Sequence, residues 1–279
     1  MSGAQIHRVA RRDDVATMLD WAAAEGWNPG LDDAGPFHAA DPEGYFVAEL
    51  DGKAVASISV VNHSDDMAFL GFFICRPEFR GRGIGLGLWS HALAHAGTRT
   101  IGLDGVAAQE ANYARSGFVR AGASRRFAGR LPGVGNDGIR DLRPDDLPAL
   151  ITLDAAACGY ERAAFLSAWL APCATRRSVV LDGPGGIEGV ATIRRCREGC
   201  KIGPVIAADA DTALRLAAAA ASRLPSEIVF IDAAPGNKAL ADALRGLGFE
   251  ETFATARMYR GPAPRATVQL QAIATMELG

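Results

Sequence analysis

The sequence predicts an α+β chain of 279 residues, built from two tandem units of one design. An Asp-Asp pair at residues 13–14 returns at residues 145–146, and a Gly-Phe pair at residues 117–118 returns at residues 248–249. The offsets are 132 and 131 residues, so both ends of a unit repeat at nearly one spacing. Gly, Pro, Asn and Asp cluster at residues 131–138, and these turn-forming residues predict the boundary there.

These landmarks divide the chain into a first domain at residues 5–131, a second at residues 138–262 and a tail at residues 263–279. Apolar residues alternate at Val268 and Leu270 in the tail, which predicts a strand. We expect this strand to join the sheet of the first unit.

Strands and helices alternate in both units in an order that predicts a mixed, twisted sheet flanked by helices. In the first unit, strands are predicted at residues 6–9, 45–50, 54–61, 68–75, 100–106 and from 118, helices at 15–25, 84–96 and 109–116, and a long loop at 27–44. In the second unit, strands are predicted at residues 178–181, 187–195, 201–208 and 227–233, and helices at 145–157, 162–170, 212–224 and 237–247.

Composition excludes several classes of protein. The net charge is −3, without the basic surface that an obligate nucleic-acid partner requires. No run of 18 apolar residues predicts a membrane span, and the first residues lack the apolar core of a secretory signal. Five cysteines, an odd number, fit reduced thiols and a cytoplasmic location. The sequence leaves the oligomeric state open.

No metal site is predicted. Cys196 and Cys200 have no second pair of ligands nearby in the sequence. His91 and His95 have the spacing of two helical zinc ligands, but Ala92 replaces the catalytic Glu of that motif and no third ligand is evident. We interpret these two histidines as part of a solvent-facing helix.

The segment Cys75–Gly85, CRPEFRGRGIG, lies between an apolar strand and an amphipathic helix. Glycines allow the backbone to approach a phosphate, and the start of a helix presents free N–H groups to it. The segment matches neither the P-loop nor the dinucleotide-binding fingerprint. It contains instead the pattern R-x-x-G-x-G at Arg80, Gly83 and Gly85, which predicts a diphosphate-binding turn.

This pattern, FFICRPEFRGRGIG, resembles the acyl-CoA motif of the GCN5-related N-acetyltransferase (GNAT) family. The segment NYARSGF at residues 112–118 is similar to that family's Y-x-x-x-G-F segment, and the order and spacing of both motifs agree. The resemblance covers most of residues 6–125. It implies two tandem GNAT-like domains, with acetyl-CoA bound by the first.

The resemblance also implies which residues contact the cosubstrate. The pantetheine arm would pair with a splayed strand edge, where a backbone N–H would polarise the thioester carbonyl. The diphosphate would bind backbone N–H groups of the glycine-rich turn, assisted by two arginine side chains. The implied residues are Phe73, Ile74, Cys75 and Arg76 for the edge, and Arg80, Gly81, Arg82, Gly83, Ile84 and Gly85 for the turn.

Tyr113 stands at the family's position for a tyrosine that meets the CoA sulfur, where it would donate a proton to the leaving thiolate. Val106 replaces an asparagine that the family often has seven residues earlier. The acceptor amine must lose a proton, and Asp104 and Glu49 are the candidate bases.

The loop at residues 27–44 falls where the family places acceptor-binding segments. Its Trp27, Asn28, Asp32 and Asp33 are the candidate acceptor-binding residues, because acidic groups can receive a cationic amine. Ordinary solvated turn residues are the alternative.

The second unit keeps the motif order but lacks the glycine-rich turn after residues 201–208, and Leu244 stands where the tyrosine would be. Asn237 occupies the family's asparagine position. We therefore interpret this unit as a non-catalytic copy. The sequence as a whole predicts an N-acetyltransferase that passes an acetyl group directly from acetyl-CoA to a primary amine of a small molecule or peptide. A CoA-binding sensor without turnover and an aminoacyl-transfer enzyme are the alternatives.

Overall fold

A computed structural model of the chain describes residues 5–132 and 138–279, so most of the predicted boundary at 131–138 lies outside the described residues. Strands and helices of the first half alternate as the sequence predicts. They are β1 (Gln5–Val9), α1 (Arg12–Ala24), α2 (Ala34–Ala40), β2 (Tyr45–Leu50), β3 (Lys53–Asn62), β4 (Met67–Cys75), α3 (Ile84–Leu93), β5 (Thr100–Gly105), α4 (Glu110–Arg115) and β6 (Val119–Gly129).

The second half repeats this order, and the predicted α+β class is confirmed. Its elements are β7 (Ile139–Asp141), α5 (Leu147–Cys158), α6 (Ala163–Trp169), β8 (Arg176–Gly183), β9 (Gly186–Arg195), β10 (Cys200–Ile206), α7 (Ala210–Arg223), β11 (Val229–Ala233), α8 (Lys238–Gly246), β12 (Glu250–Arg260) and β13 (Leu270–Ala272).

One ion-pair cluster recurs in both halves. Arg8 of β1 binds Asp14 at 2.7 Å and Glu49 of β2 at 2.6 Å. In the second half, Arg140 binds Asp146 at 2.7 Å and Asp182 at 2.6 Å. Arg140 and Asp146 stand 132 residues after Arg8 and Asp14, the spacing of the repeat. Each aspartate also accepts the backbone N–H three residues before it, which fixes the start of the following helix.

The thirteen strands form one sheet in the order β1-β2-β3-β4-β5-β12-β6-β11-β13-β10-β9-β8-β7. Strand β12 of the second half lies between β5 and β6 of the first and is antiparallel to both. Strand β6 in turn pairs with β11 of the second half. The two halves have therefore exchanged their last long strands, and each strand completes the sheet of the other half.

The tail does not follow the prediction. We expected its strand in the sheet of the first unit, and this is wrong: β13 pairs with β10 and with β11, both in the second half. Strands β10 and β11 pair directly only from Cys200–Val229 to Ile202–Ile231. Beyond that point they diverge, and β13 fills the space.

Part of the predicted loop at residues 27–44 is the helix α2. Gly35 and Pro36 are poor helix formers, although proline is tolerated in a first turn. The helix forms because Phe37 is fully buried and stacks on Trp169 of α6, with ring centroids 6.2 Å apart. Tertiary packing between the two halves thus overrides local propensity.

None of the helices in residues 5–132 and 138–279 combines the length and the apolar character that crossing a membrane requires.

Candidate active site

Strands β4 and β5 separate halfway along their length. They pair in parallel from Met67–Thr100 to Leu70–Leu103, and no strand of the described residues pairs with the rest of β4 on that side. Opposite Ile58 of β3, β4 carries two residues, of which Phe72 has a left-handed φ of 49°. Such a bulge bends a strand. The stretch from Gly71 to Cys75 is thereby a free edge on which another extended chain can pair.

A cavity of about 470 Å³ opens beside this edge, a size typical of small-molecule sites. Both halves and the tail contribute to its wall. The lining residues that carry the argument below are Glu25, Trp27, Arg80, Asp104, Tyr113, Arg126, Phe253, Thr255, Met276 and Glu277.

The turn between β4 and α3 has the geometry of an anion site. Gly81 and Gly83 have φ values of 75° and 80°, and a Cβ at either would meet no atom within 4 Å. No backbone carbonyl of the described residues accepts from the N–H groups of residues 81–83. The first N–H groups of α3 are free by the geometry of a helix start. Backbone donors without a backbone acceptor thus lie next to open space at the end of the free β4 edge.

Two of the arginines of this turn differ in their contacts. Arg80 donates from Nε to the carbonyl of Cys75 at 2.8 Å and pairs with Glu25 of α1 at 2.5 Å, which fastens the turn to β4 and to α1. Arg82 lies over the Phe79 ring, 5.5 Å from its centroid, and makes no ion pair within the described part of the chain. Among the described residues, the Arg82 guanidinium therefore has no ionic partner.

Tyr113 lies in the wall of the cavity. Its ring stacks on Trp89 with centroids 5.6 Å apart, and burial raises its pKa to about 12. The hydroxyl makes no hydrogen bond with any described residue. It is therefore a protonated donor at neutral pH, with its proton available to a ligand.

The two candidate bases have other partners. Asp104 lines the cavity, but its carboxylate binds Arg257 at 2.6 Å and accepts from Ser124 at 2.8 Å and from Thr255 at 3.1 Å. Three of its roughly four acceptor positions are thus occupied. Glu49 pairs with Arg8 outside the cavity. Asp104 therefore has little acceptor capacity left, and Glu49 is engaged away from the cavity.

The structure separates the four predicted acceptor-binding residues. Trp27 lines the cavity, and its carbonyl accepts from Arg126 and Lys201. Asn28 bonds the backbone of Glu198 instead.

The two aspartates of that loop join the halves of the molecule and do not line the cavity. Asp32 accepts from Thr175 at 2.5 Å. Asp33 is buried and accepts from Arg176 at 2.7 Å and Arg194 at 3.1 Å. These two carboxylates are thus structural, because the side chains that bind them, Thr175 for Asp32 and two arginines for Asp33, lie more than 140 residues later in the chain.

In the second half, the tail occupies the position that corresponds to the free β4 edge. The N–H of Ala207 donates to Gln269 at 3.0 Å, and that of Ala234 donates to Gln271 at 2.9 Å. Asn237 donates to the carbonyl of Leu270 at 3.3 Å and to the side chain of Gln271 at 2.9 Å. The chain itself therefore fills the gap between β10 and β11.

Several residues of the cavity wall were missed by sequence reasoning: Arg126, Phe253, Thr255, Met276 and Glu277. Phe253 and Thr255 reach the cavity through the exchanged strand β12, and Met276 and Glu277 reach it along the tail. Local sequence patterns carry no signal for such long-range placement. The one local signal was Glu277, the single charged residue in the segment ATMELG at residues 274–279.

The splayed strands, the glycine-rich turn and the cavity are features that a resemblance to acyl-CoA-dependent acyltransferases implies, and comparison with known families agrees with that class. A model described as "Acetyltransferase (GNAT) family" matches residues 12–122, and one described as "Acetyltransferase (GNAT) domain" matches residues 150–271. The chain belongs to the GNAT family, with two such domains in tandem.

Among individual proteins, the chain is 37% identical over 268 residues to the holothin acyltransferase of Pseudoalteromonas sp. (strain SANK 73390). That match covers 93% of this chain and 90% of the relative. The chain is therefore an acyltransferase, and its family implies an acyl-CoA cosubstrate.

Solved structures share the fold at lower identity. A provisionally assigned acetyltransferase from Pyrococcus horikoshii superimposes with a TM-score of 0.81 at 20% identity, over 99% of this chain and 96% of that one. A tandem GNAT protein from the clavulanic acid biosynthesis pathway gives a TM-score of 0.62 at 16% identity, over 93% and 99% of the two chains. The tandem arrangement thus recurs in this family.

Proposed function

We propose that the first half binds acetyl-CoA and that the enzyme transfers its acetyl group to the primary amine of a small molecule. The observation that carries this proposal is the free β4 edge, which has a turn of unpaired N–H donors at one end and a cavity beside it. A relative named for acyl transfer to holothin supports a small acceptor. The volume of the cavity, about 470 Å³, favours such an acceptor too.

Acetyl-CoA fits these residues. The diphosphate would accept hydrogen bonds from backbone N–H groups between Gly81 and Gly85, with Arg82 adding charge and Arg80 holding the turn. The pantetheine arm would pair with Phe73–Arg76 of β4, and a backbone N–H of this edge would polarise the thioester carbonyl. The open space over Gly81 and Gly83 leaves room for the phosphates.

The reaction needs no covalent enzyme intermediate, because a positioned amine attacks a thioester directly. The nitrogen bonds to the carbonyl carbon, and the carbon–sulfur bond breaks with its electron pair on sulfur. Tyr113, protonated at neutral pH, would supply the proton that makes this sulfur a thiol. Trp27 and Phe253 supply apolar wall for the acceptor.

The test is release of free thiol from acetyl-CoA in the presence of a panel of primary amines, with mass detection of the acylated product. We expect thiol release that depends on the amine and saturates with it. Binding of CoA by calorimetry without turnover of any amine would contradict the proposal and favour a CoA sensor.

A further inference from the structure

Three carboxylates line the cavity, and their surroundings differ. Glu25 is paired with Arg80, and Asp104 accepts from three side chains. The Glu277 side chain makes no hydrogen bond with the described residues, although the residue is only 5% exposed. The two side-chain oxygens have no hydrogen-bond partner in the described part of the chain, yet neither is completely buried. The Glu277 oxygens therefore keep some accessible surface, and the residue lines the cavity.

The tail fixes the position of Glu277. Thr275 Oγ1 accepts from the N–H groups of Glu277 at 3.2 Å and of Leu278 at 2.9 Å. The Glu277 carbonyl packs against Gly71, where a Cβ would lie 2.3 Å from it. Gly71 follows Leu70, the last residue of β4 that pairs with β5. Glu277 thus lies at the inner end of the free edge, opposite the diphosphate turn.

The titratable groups that interact with Glu277 come from four strands. Arg126 of β6, Lys201 of β10 and Arg194 of β9 are the cations, and Tyr45 of β2 is the fourth group. Burial lowers the pKa of Lys201 to about 8. None of these groups donates a hydrogen bond to the Glu277 side chain. The carboxylate is therefore not bound to any of these three cations.

We propose that Glu277 binds the ammonium form of the acceptor and takes one proton from it. This inference rests on the proposed function. One N–H bond breaks and the proton passes to the Glu277 carboxylate, which leaves a neutral amine. The nitrogen then forms its bond to the thioester carbon while the carbon–sulfur bond breaks. The second nitrogen proton moves to sulfur through the Tyr113 hydroxyl, and the Glu277 proton returns to solvent.

The experiment compares two acceptors in the full-length enzyme at pH 7. One is a primary alkyl amine that the wild type acylates. The other is its alkoxyamine analogue, in which oxygen replaces the carbon next to nitrogen, so that the amine is already neutral. The variant is Glu277→Gln, and the matched control is Glu188→Gln, which changes an exposed glutamate of β9.

We expect Glu277→Gln to lower kcat/KM about 100-fold for the alkyl amine and less than about threefold for the alkoxyamine. Raising the pH should restore the rate with the alkyl amine. CoA affinity and the unfolding midpoint should match those of the wild type and of the control.

Equal losses with both acceptors, no loss with either, or a loss that follows CoA affinity would overturn the assignment of Glu277. A wild-type enzyme that binds CoA but acylates no amine would instead refute the proposed function itself. The two failures are therefore distinguishable.

Discussion

Tyr113 is the residue whose hydroxyl we expect to matter for chemistry and not for folding. Its ring packs on Trp89 and Phe118, and these contacts remain in Tyr113→Phe. Removing the hydroxyl removes the proton donor to sulfur, so kcat should fall about 100-fold while CoA binds as before. Steady-state kinetics and calorimetry measure both quantities. Tyr160→Phe, a change outside this cavity, is the control, and an unchanged kcat in Tyr113→Phe would exclude the role of proton donor.

At the same scale, Asp33 shows why the sequence did not reveal the structural role of aspartates in the loop at residues 27–44. A carboxylate in a predicted loop suggests a solvated or ligand-binding group. Its partners, Arg176 and Arg194, lie on β8 and β9, and both guanidinium groups pack on the Trp169 ring, 4.2 and 4.7 Å from its centroid. Burial alone would raise the pKa of Asp33, but the two arginines outweigh it and lower that pKa.

We expect Asp33→Asn to lower the free energy of unfolding by about 3–5 kcal/mol, because it leaves buried arginine charge without a counter-ion. Asp32→Asn removes only the charge from an exposed hydrogen bond that Thr175 can still donate to the amide oxygen, and it should cost about 1 kcal/mol or less. Urea unfolding of both variants measures the difference. Equal costs for the two substitutions would contradict the structural role of Asp33.

At the scale of elements, the tail is tied to the first half by His63, whose Nε2 lies 2.8 Å from the Leu278 carbonyl. Burial, aided by the nearby Arg162, lowers the pKa of His63 from 6.5 to about 4. Between these two values the unfolded chain binds a proton that the folded chain does not. Stability is therefore complete above pH 6.5 and is lost as the pH falls toward 4.

His63→Gln should remove this part of the acid sensitivity, because a glutamine side chain does not titrate. Its amide can still donate to the Leu278 carbonyl, so the contact with the tail is kept. We expect the wild type to lose on the order of 1–3 kcal/mol more than the variant between pH 7 and pH 4.5. Urea unfolding at the two pH values tests this, with His38→Gln as the control that follows the wild type. A variant as sensitive to acid as the wild type would refute this role of His63.

At the scale of the molecule, the exchange of β6 and β12 makes the halves mutually dependent. Without the second half, β5 would lose its neighbour β12. Without the first half, β11 would lose its neighbour β6. We expect a chain cut at a protease site inserted between residues 132 and 138 to stay associated in native size-exclusion chromatography, and to separate only in denaturant. Residues 5–131 expressed alone should aggregate, since an unpaired strand edge favours association. Halves that separate after cutting would contradict the exchange.

Sequence reasoning reached the repeat, most strands and helices and the position of the glycine-rich turn, because each rests on local patterns; diphosphate binding by that turn stays a prediction. It did not reach the exchange, since β6 and β12 occupy equivalent places after Gly117-Phe118 and Gly248-Phe249, and either strand can complete either half. The same limit applies to the tail. The alternation at Val268 and Leu270 indicates a strand, but the gap that it fills depends on where β10 and β11 diverge.

The filled gap between β10 and β11 bears on the stoichiometry of the enzyme. An acyl-CoA molecule could bind there only after displacing β13, which is held in place by hydrogen bonds from Asn237. Each molecule should therefore load a single equivalent of donor, and saturation curves should be hyperbolic, without communication between paired centres. In this proposal the second half contributes part of the cavity wall and the exchanged strand β12, so the first half depends on it for its structure.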